Sequence, residues 1–283
     1  MHINSAPPAQ DYARPGTLAE AGVLLGQSGW RVLAGGTDLY PVAGARLDGR
    51  VLDLSGLPEL SGIETGQVLR IGAATTWAAI ADADLPLACR ALQQAARQVG
   101  GRQVQNAGTI GGNLCNASPA ADGVPPLLAL GAEVELVSAR GQRRLPLQQF
   151  ILGPRRTELG SDEILAAVLI PEAALCGRSA FVKLGARTHL VISIAMVAAR
   201  VVVEGGRVCE VAVAVGSCSP VAVRLQAVEA ALVGVAADDV VDRVSAADVQ
   251  AALSPIDDVR ATAAYRREAA VELVRRALAE ALA

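Results

Sequence analysis

The sequence predicts an α+β protein made of two successive units, residues 1–175 and 176–283. Groups of strand patterns and groups of helix patterns are interspersed up to residue 170, whereas three strand patterns precede the helices after residue 178. A chain of 283 residues, 52% of them hydrophobic, is long enough to bury a core in each unit. Its charged fraction of 19% and mean hydropathy of +0.38 exclude an intrinsically disordered chain.

The first unit opens with a helix and continues with short strands. Thr17 and Glu20 have the spacing of a capping box, which predicts a helix ending near residues 26–29. Runs of apolar and β-branched residues predict strands at 31–34, 51–54, 69–73, 133–138 and 164–170. Helical spacing of apolar residues predicts helices at 76–81, 86–99 and 120–130, and the Gly- and Asn-rich residues 100–116 predict a loop.

The second unit reverses this order after a predicted linker at residues 171–178. Apolar runs predict strands at 180–184, 192–203 and 208–215. Helical patterns follow at 222–232, 246–253 and about 259–282. We therefore expect a small α+β domain with a three-stranded antiparallel sheet and helices packed on it.

Composition argues against several classes of partner. The net charge is −3 and basic residues do not cluster, which excludes a nucleic-acid-binding surface. The most apolar run, residues 190–203, is interrupted by Ser193 and Arg200 and is too short to cross a membrane. The first residues have no basic or apolar region of the kind typical of a signal peptide. The five cysteines are widely dispersed, which is typical of reduced thiols, and together these features predict a cytoplasmic location.

The chain offers few groups for metal binding or acid–base catalysis. It contains two histidines, His2 and His189, and its cysteines form no C-x-x-C pair. We therefore predict no intrinsic metal site and no catalytic residue, because a Ser-His-Asp triad would depend on His189 alone.

Lys183 is unusual in this composition. Lysine and arginine together number 25, and Lys183 is the single lysine. A compositional bias explains the arginines but not the exception, so Lys183 is either an incidental strand residue or a position where a compact ammonium is required.

The first glycine loop, residues 33–39, follows a predicted strand. Its two consecutive glycines, Gly35 and Gly36, allow a sharp turn, and their N–H groups can converge on an anion. Thr37 adds a hydroxyl donor. A plain turn at the end of a strand is the alternative interpretation, because Gly-Gly turns are common.

The second glycine loop, residues 106–122, is longer and rich in Gly, Asn and hydroxyl residues. Long segments of this kind inside compact domains are typically functional. It matches neither the G-x-G-x-x-G fingerprint nor the P-loop. Its polar content suggests a phosphate-bearing ligand held between the two loops.

The two loops together carry a family resemblance. LAGGTDL, followed about 70 residues later by GTIGGNLCNASPAAD, resembles the flavoprotein subunit of the xanthine dehydrogenase and carbon monoxide dehydrogenase family of molybdenum hydroxylases. LRIGA at residues 69–73, GPRRT at 153–157, DEIL at 162–165, FVK at 181–183 and RATAAYRR at 260–267 extend the similarity over nearly the whole chain. It implies an FAD-binding domain of the p-cresol methylhydroxylase type followed by the small C-terminal flavoprotein domain.

The resemblance also implies which residues bind FAD. The first loop would surround the diphosphate, the second would contact the phosphate and ribityl chain, Asp122 would accept hydrogen bonds from cofactor hydroxyls, and Lys183 would reach the flavin ring from the second domain. The implied set is Leu33, Ala34, Gly35, Gly36, Thr37, Asp38, Leu39, Thr109, Ile110, Gly111, Gly112, Asn113, Asn116, Ser118, Asp122, Leu165 and Lys183.

The implied function is electron transfer within a complex. The family arrangement supplies a large molybdopterin-binding subunit and a small subunit with two [2Fe–2S] clusters, as a dimer of heterotrimers. Electrons would pass through the clusters to FAD and then to NAD or another acceptor. The segment after Lys183 lacks the acidic pair or tyrosine of several relatives, which leaves the acceptor open.

Two alternatives remain at this point. One is a stand-alone flavin oxidoreductase of the same fold, which would act directly on an organic substrate and which the scarcity of His and Tyr disfavours. The other is a non-catalytic nucleotide-binding or assembly module.

Overall fold

The computed structural model describes residues 12–43 and 49–283. The strands in this part of the chain are β1 (Tyr12–Ala13), β2 (Trp30–Leu33), β3 (Arg50–Asp53), β4 (Ile63–Thr65), β5 (Val68–Gly72), β6 (Glu133–Ser138), β7 (Gly141–Pro146), β8 (Ile151–Gly153), β9 (Arg156–Thr157), β10 (Ile164–Pro171), β11 (Arg178–Leu184), β12 (Ala195–Glu204), β13 (Arg207–Gly216) and β14 (Val223–Arg224).

The helices fall mainly into two groups, one between β5 and β6 and the other after β14. They are α1 (Leu18–Leu25), α2 (Trp77–Asp82), α3 (Arg90–Gln98), α4 (Arg102–Ala107), α5 (Ile110–Asn116), α6 (Val124–Ala129), α7 (Leu147–Phe150), α8 (Gln226–Leu232), α9 (Ala246–Ala251) and α10 (Ala263–Leu282). Short 3₁₀ turns occupy Tyr40–Val42, Pro58–Leu60, Leu87–Cys89, Glu172–Leu175 and Ala237–Asp239.

A small parallel sheet forms the N-terminal edge of the described chain. Strand β3 lies in its centre, between β1 and β2, and pairs in parallel with both. Helix α1 begins at the predicted cap, where the Thr17 hydroxyl accepts a hydrogen bond from the Glu20 N–H at 3.2 Å. It buries Ala21 and Leu25 in a cluster with Leu52 of β3, the strand that pairs with β2 and so positions the first glycine loop.

A five-stranded antiparallel sheet, in the order β4-β5-β10-β6-β7, is the centre of the first unit. Residues 164–170 of β10 are buried throughout, as their uninterrupted apolar run predicts for a central strand. One core cluster joins this sheet to the helices beside it, through Leu69 and Val168 on the strands and Trp77, Leu92 and Ile110 from the helical segments.

The second unit is a four-stranded antiparallel sheet in the order β11-β12-β13-β14, with α10 packed on it. The three long strands confirm the predicted sheet, and the structure adds the two-residue strand β14 at its edge. Helix α10 begins after Thr262, whose hydroxyl accepts a hydrogen bond from the Tyr265 N–H at 3.2 Å.

Buried contacts join the two units. Ser179 on β11 donates a hydrogen bond to the Ala88 carbonyl at 2.7 Å and accepts one from the Ala91 N–H at 2.8 Å. Gln94 on α3 accepts a hydrogen bond from the Phe181 N–H at 2.7 Å. A cluster of mostly small apolar residues fills the space between the two units: Ala91, Ala95, Ala129, Phe181, Met196, Ala198 and Ala212.

Several elements differ from the sequence-based expectation. The Gly- and Asn-rich residues 100–116 form the short helices α4 and α5 instead of a continuous loop. The predicted linker at 171–178 contains a 3₁₀ turn, Glu172–Leu175, and the start of β11. Strand β7 has no strand signal in the sequence, because its residues 142–144 are all polar or charged.

Within the described residues, no helix combines the length and the apolar character needed to cross a membrane. The prediction about a signal peptide concerns residues 1–11, which lie outside the described part of the chain.

Candidate functional site

A cleft of about 790 Å³ lies where the two glycine loops meet, and both units contribute to it. The first unit supplies most of its surface, including the start of β10. The second unit supplies residues 190–192, from the segment that connects β11 and β12. The predicted residues that line it are Ala34, Gly35, Gly36, Thr37, Asp38, Leu39, Thr109, Gly111, Gly112, Asn113, Asn116, Ser118, Asp122 and Leu165.

The first glycine loop approaches the second closely at Gly35. A Cβ atom on Gly35 would overlap the Ala107 carbonyl oxygen and lie 2.7 Å from its carbonyl carbon. Gly36 has a φ of +69°, in the left-handed region that favours glycine. The two consecutive glycines are therefore required, one by close packing and the other by backbone conformation.

The first loop also presents free backbone donors. Within the described part of the chain, the N–H groups of residues 35–39 donate no hydrogen bond. Successive N–H groups of this kind form a concavity that binds anions. This loop can therefore hold a phosphate group through its backbone.

The second glycine loop differs from the expectation of a donor-rich loop, because its centre is helix α5. Thr109 caps the helix by accepting a hydrogen bond from the Gly112 N–H at 3.0 Å, and the Gly111 N–H donates to the Ala73 carbonyl at 2.8 Å. A Cβ atom on Gly111 would lie 2.6 Å from the Cβ of Ala73. These glycines permit close packing in the wall of the cleft, whereas their N–H groups are already used.

Asn113 presents an unsatisfied polar atom in the wall of the cleft. Its side-chain Oδ1 is buried and has no hydrogen-bond partner in the described part of the chain. A buried acceptor without a partner destabilises a fold by about 1–3 kcal/mol. A ligand that brings an N–H or O–H donor to this wall would remove that penalty.

Asp122 lies at the junction of the two units, in an ion pair with Lys183. The Lys183 ammonium donates to Asp122 Oδ2 at 2.6 Å and to the Gln98 carbonyl at 3.3 Å, and the Ser193 hydroxyl donates to Asp122 Oδ1 at 2.6 Å. Side-chain exposure is 5% for Lys183 and 9% for Asp122. Burial raises the pKa of the Asp122 carboxyl, while Lys183 and Ser193 oppose that shift by favouring the carboxylate.

Three predicted residues do not line the cleft. Leu33 and Ile110 are buried, and Ile110 belongs to the core of the first unit. Lys183 is absent from the lining because its ammonium is directed to Asp122, which lines the cleft in its place. The resemblance implies that Lys183 reaches the flavin ring directly; in this structure its ammonium is bonded to the Asp122 carboxylate, which lines the cleft.

Arg155 lines the cleft, although the sequence-based set does not include it. It has a φ of +58° and donates through its guanidinium to the Asn116 carbonyl at 3.2 Å and to Asn116 Oδ1. Its backbone N–H also donates to the Ala117 carbonyl at 2.9 Å, so Arg155 holds the C-terminal end of α5. The GPRRT match at 153–157 is the signal in the sequence for this residue.

Glu163 is a second cleft residue outside the sequence-based set. Because Glu163 directly precedes an apolar run in the sequence, we expect its carboxylate to be exposed to solvent. In the structure the carboxylate instead accepts hydrogen bonds from Arg143 Nε at 2.6 Å, Arg143 Nη2 at 2.8 Å and the Gly160 N–H at 2.7 Å. The Arg143 guanidinium holds the pKa of the Glu163 carboxyl below its ordinary value. Ala73 and Ile164, which also line the cleft, lie in the LRIGA and DEIL matches. The other apolar lining residues have no distinct signal in the sequence: Val32, Leu54, Leu60, Ala74, Trp77, Val99, Val104 and Leu159.

Comparison with known proteins identifies the family. Residues 7–173 match the family described as "FAD binding domain in molybdopterin dehydrogenase", and residues 180–281 match "CO dehydrogenase flavoprotein C-terminal domain". The chain belongs to this family. It is an FAD-binding oxidoreductase subunit, with an FAD-binding domain of the p-cresol methylhydroxylase type followed by the family's C-terminal domain. The resemblance drawn from the loop motifs is confirmed.

Individual relatives agree with this assignment along the chain. The chain is 32% identical to the carbon monoxide dehydrogenase medium chain of Hydrogenophaga pseudoflava, covering 96% of each protein. It is 38% identical to the nicotinate dehydrogenase FAD-subunit of Eubacterium barkeri over 74% of each. A solved structure of carbon monoxide dehydrogenase from Hydrogenophaga pseudoflava superposes with a TM-score of 0.88 and 32% identity over 98% of both chains.

The cleft of this FAD-binding subunit has the donor and acceptor set that FAD requires. Free N–H groups in the first loop suit a diphosphate, and the unsatisfied Asn113 Oδ1 and the Asp122 carboxylate suit the hydroxyl and N–H groups of the cofactor. Glycines on both loops let the backbones that form the wall of the cleft pack closely, at Gly35 against Ala107 and at Gly111 against Ala73. The residues present therefore fit FAD.

Proposed function

We propose that this FAD-binding subunit transfers electrons within a multi-subunit molybdenum hydroxylase. Its partners would be a large molybdopterin-binding subunit and a small subunit with two [2Fe–2S] clusters, assembled as a dimer of heterotrimers in the cytoplasm. Electrons would enter through the clusters and leave to NAD or another acceptor. Support comes from the family match and from relatives named as medium chains and FAD-subunits.

We propose that FAD lies in the cleft between the glycine loops, and that the division of the chain near residue 175 separates its two binding domains. FAD supplies the ability to accept and release electrons. The free N–H groups of residues 35–39 would hold the diphosphate, and α5 would pack beside the cofactor through Gly111 and Gly112. The family matches at 7–173 and 180–281 support that division.

Lys183 has a different place in this proposal from the one implied by the motif. Its ammonium is paired with Asp122, which lines the cleft. Lys183 would therefore act on the cofactor through Asp122, by keeping this carboxylate ionised and oriented as an acceptor. Direct contact between Lys183 and the flavin ring is not part of the proposed arrangement.

The observation that favours electron transfer over direct substrate oxidation is the chemistry of the cleft wall. No histidine or tyrosine of the described chain lines it, and its buried carboxylates, Asp122 and Glu163, are both held by basic side chains. Its third carboxylate, Asp38, is exposed on the loop assigned to the diphosphate. A stand-alone flavin oxidoreductase would need an acid or base free to exchange a proton with an organic substrate above the flavin.

Purification of the full chain from its native cells tests this function. We expect FAD, molybdenum and iron to co-elute with this chain and two further subunits, and the flavin to be reduced by substrate in the complex alone. The free chain should bind FAD but show no flavin reduction by organic substrates. A chain that elutes alone and whose flavin is reduced directly by an organic substrate would favour the stand-alone alternative.

A further inference from the structure

Ser193 is a fully buried polar residue in the segment between β11 and β12, and both its hydroxyl and its carbonyl have defined partners. The hydroxyl donates to Asp122 Oδ1 at 2.6 Å, and the carbonyl accepts a hydrogen bond from Arg260 Nη1 at 2.9 Å. The three residues before it, 190–192, line the cleft. Ser193 therefore connects a wall of the cleft to the body of the second unit.

Two arginines fix the backbone at this point. Arg260 is paired with Asp258 Oδ2 at 2.5 Å, and Arg266 with Asp258 Oδ1 at 2.7 Å. Arg266 is fully buried and also donates to the carbonyls of Ile194 and Ser217. The carbonyls of residues 193 and 194 are thus both held by charged donors, which form stronger hydrogen bonds than neutral ones.

The hydroxyl of Ser193 completes the support of Asp122. Lys183 holds Oδ2 from β11, and Ser193 holds Oδ1 from the following segment. With a single partner the carboxylate could rotate about its terminal bond, because such torsions are broad. With a partner on each oxygen its plane is fixed, and the lone pairs not used by Lys183 and Ser193 remain for a ligand in the cleft.

We propose that Ser193 is a positioning residue for FAD: together with Lys183 it fixes the Asp122 carboxylate in the orientation that accepts a hydrogen bond from the cofactor. This inference rests on the proposed FAD cleft. It assigns the Arg260–Asp258–Arg266 cluster a role in cofactor binding, because that cluster holds the Ser193 backbone although none of its members lines the cleft.

The test compares Ser193→Ala with Ser179→Ala in the full chain. Both serines are buried, lie in the second unit and bond to the first, but Ser179 contacts the backbone at Ala88 and Ala91, away from the cleft lining. FAD titration followed by flavin fluorescence should show the Kd rise about tenfold or more for Ser193→Ala, since bonds to charged groups are the stronger ones. For Ser179→Ala the Kd should stay within about twofold of wild type, although the melting temperature falls comparably.

A double substitution separates positioning from general stability. In an Asp122→Asn background, Ser193→Ala should change the FAD Kd by less than about twofold, because Ser193 acts through the Asp122 carboxylate. An equal loss in both backgrounds, an unchanged Kd for Ser193→Ala, or equal losses for Ser193→Ala and Ser179→Ala would each overturn the proposal. If Ser193→Ala does not fold, Ser193→Cys keeps a slightly larger side chain at this position with only a weak donor and carries the same expectations.

The wild-type titration distinguishes this inference from the function on which it rests. Failure of the wild-type full chain to bind FAD would contradict the proposed cleft itself. Normal binding by wild type together with normal binding by Ser193→Ala would contradict only the positioning role.

Discussion

Glycines in the two loops serve different physical purposes at the scale of single residues. Gly35 lies against the Ala107 carbonyl and belongs to a loop whose N–H groups have no acceptor in the described chain. Gly111 lies against Ala73, and its N–H donates to the carbonyl of that residue. The sequence predicts both loops as cofactor-binding but cannot separate free donors from packed ones, because that depends on where the end of β5 places Ala73.

Gly35→Ala should therefore weaken FAD binding. The added Cβ forces the first loop away from Ala107, and overpacking of this kind costs about 1–3 kcal/mol. We expect the FAD Kd to rise about tenfold and the melting temperature to fall, as measured by fluorescence titration and thermal unfolding. Gly153→Ala is the matched control, because nothing lies within 4 Å of its Cβ position and it should leave both quantities nearly unchanged. Equal behaviour of the two variants would refute the requirement for close approach.

Glu163 contributes stability that depends on pH. The Arg143 guanidinium lowers the pKa of its carboxyl from the ordinary value of 4.5, and the Gly160 N–H adds to the effect. A carboxyl whose pKa is lowered by folding stabilises the protein above its unfolded pKa, and this contribution is lost as the pH falls through the folded value. Glu163 is buried, while the Arg143 side chain is 42% exposed, so solvent weakens the pair.

Glu163→Gln should lower the free energy of unfolding by about 1 kcal/mol at pH 7, the size expected for a partly solvated charge-assisted hydrogen bond. The difference from wild type should shrink as the pH falls below 4.5. Urea unfolding at several pH values measures it, with the exposed Glu64→Gln as control. A difference that does not change as the pH is lowered through this range would mean that Glu163 does not act through its charge.

Helix α5 shows what sequence patterns miss at the scale of elements. Its seven residues include two glycines and two asparagines, which are poor helix formers, so the local pattern predicts a loop. The helix forms because Thr109 caps it and because Ile110 and Leu114, four residues apart, are both fully buried. Tertiary packing thus overrides local propensity here, whereas long strands such as β10 and β12 follow directly from their apolar runs.

The cap of α5 should matter for both stability and cofactor binding. Thr109→Val keeps the side-chain shape but removes the acceptor of the Gly112 N–H, which costs about 1 kcal/mol for a typical N-cap. Thr262→Val removes the corresponding cap of α10, which lies outside the cleft. We expect similar losses in unfolding free energy but a higher FAD Kd for Thr109→Val alone. A raised Kd for Thr262→Val of the same size would show a general effect of stability.

The cleft belongs to the whole molecule rather than to one unit. Sequence motifs locate the loops of the cleft because each loop is a continuous segment of the chain. Asp122, in contrast, pairs with Lys183, which lies 61 positions later in the sequence, and with Ser193, which lies 71 positions later. The motif implies that Lys183 contacts the flavin, whereas the fold directs its ammonium to Asp122, which lines the cleft. Contacts of this separation depend on how the two sheets pack, which no local pattern encodes.

A crystal structure of the full chain with bound FAD would show directly where the cofactor and its diphosphate lie. We expect FAD to occupy the cleft, with its diphosphate oxygens within hydrogen-bonding distance of the N–H groups of residues 35–39. The N–H groups of Gly111 and Gly112 should keep their protein acceptors. A cofactor bound elsewhere, or a diphosphate held by Gly111 and Gly112 instead of the first loop, would contradict this expectation.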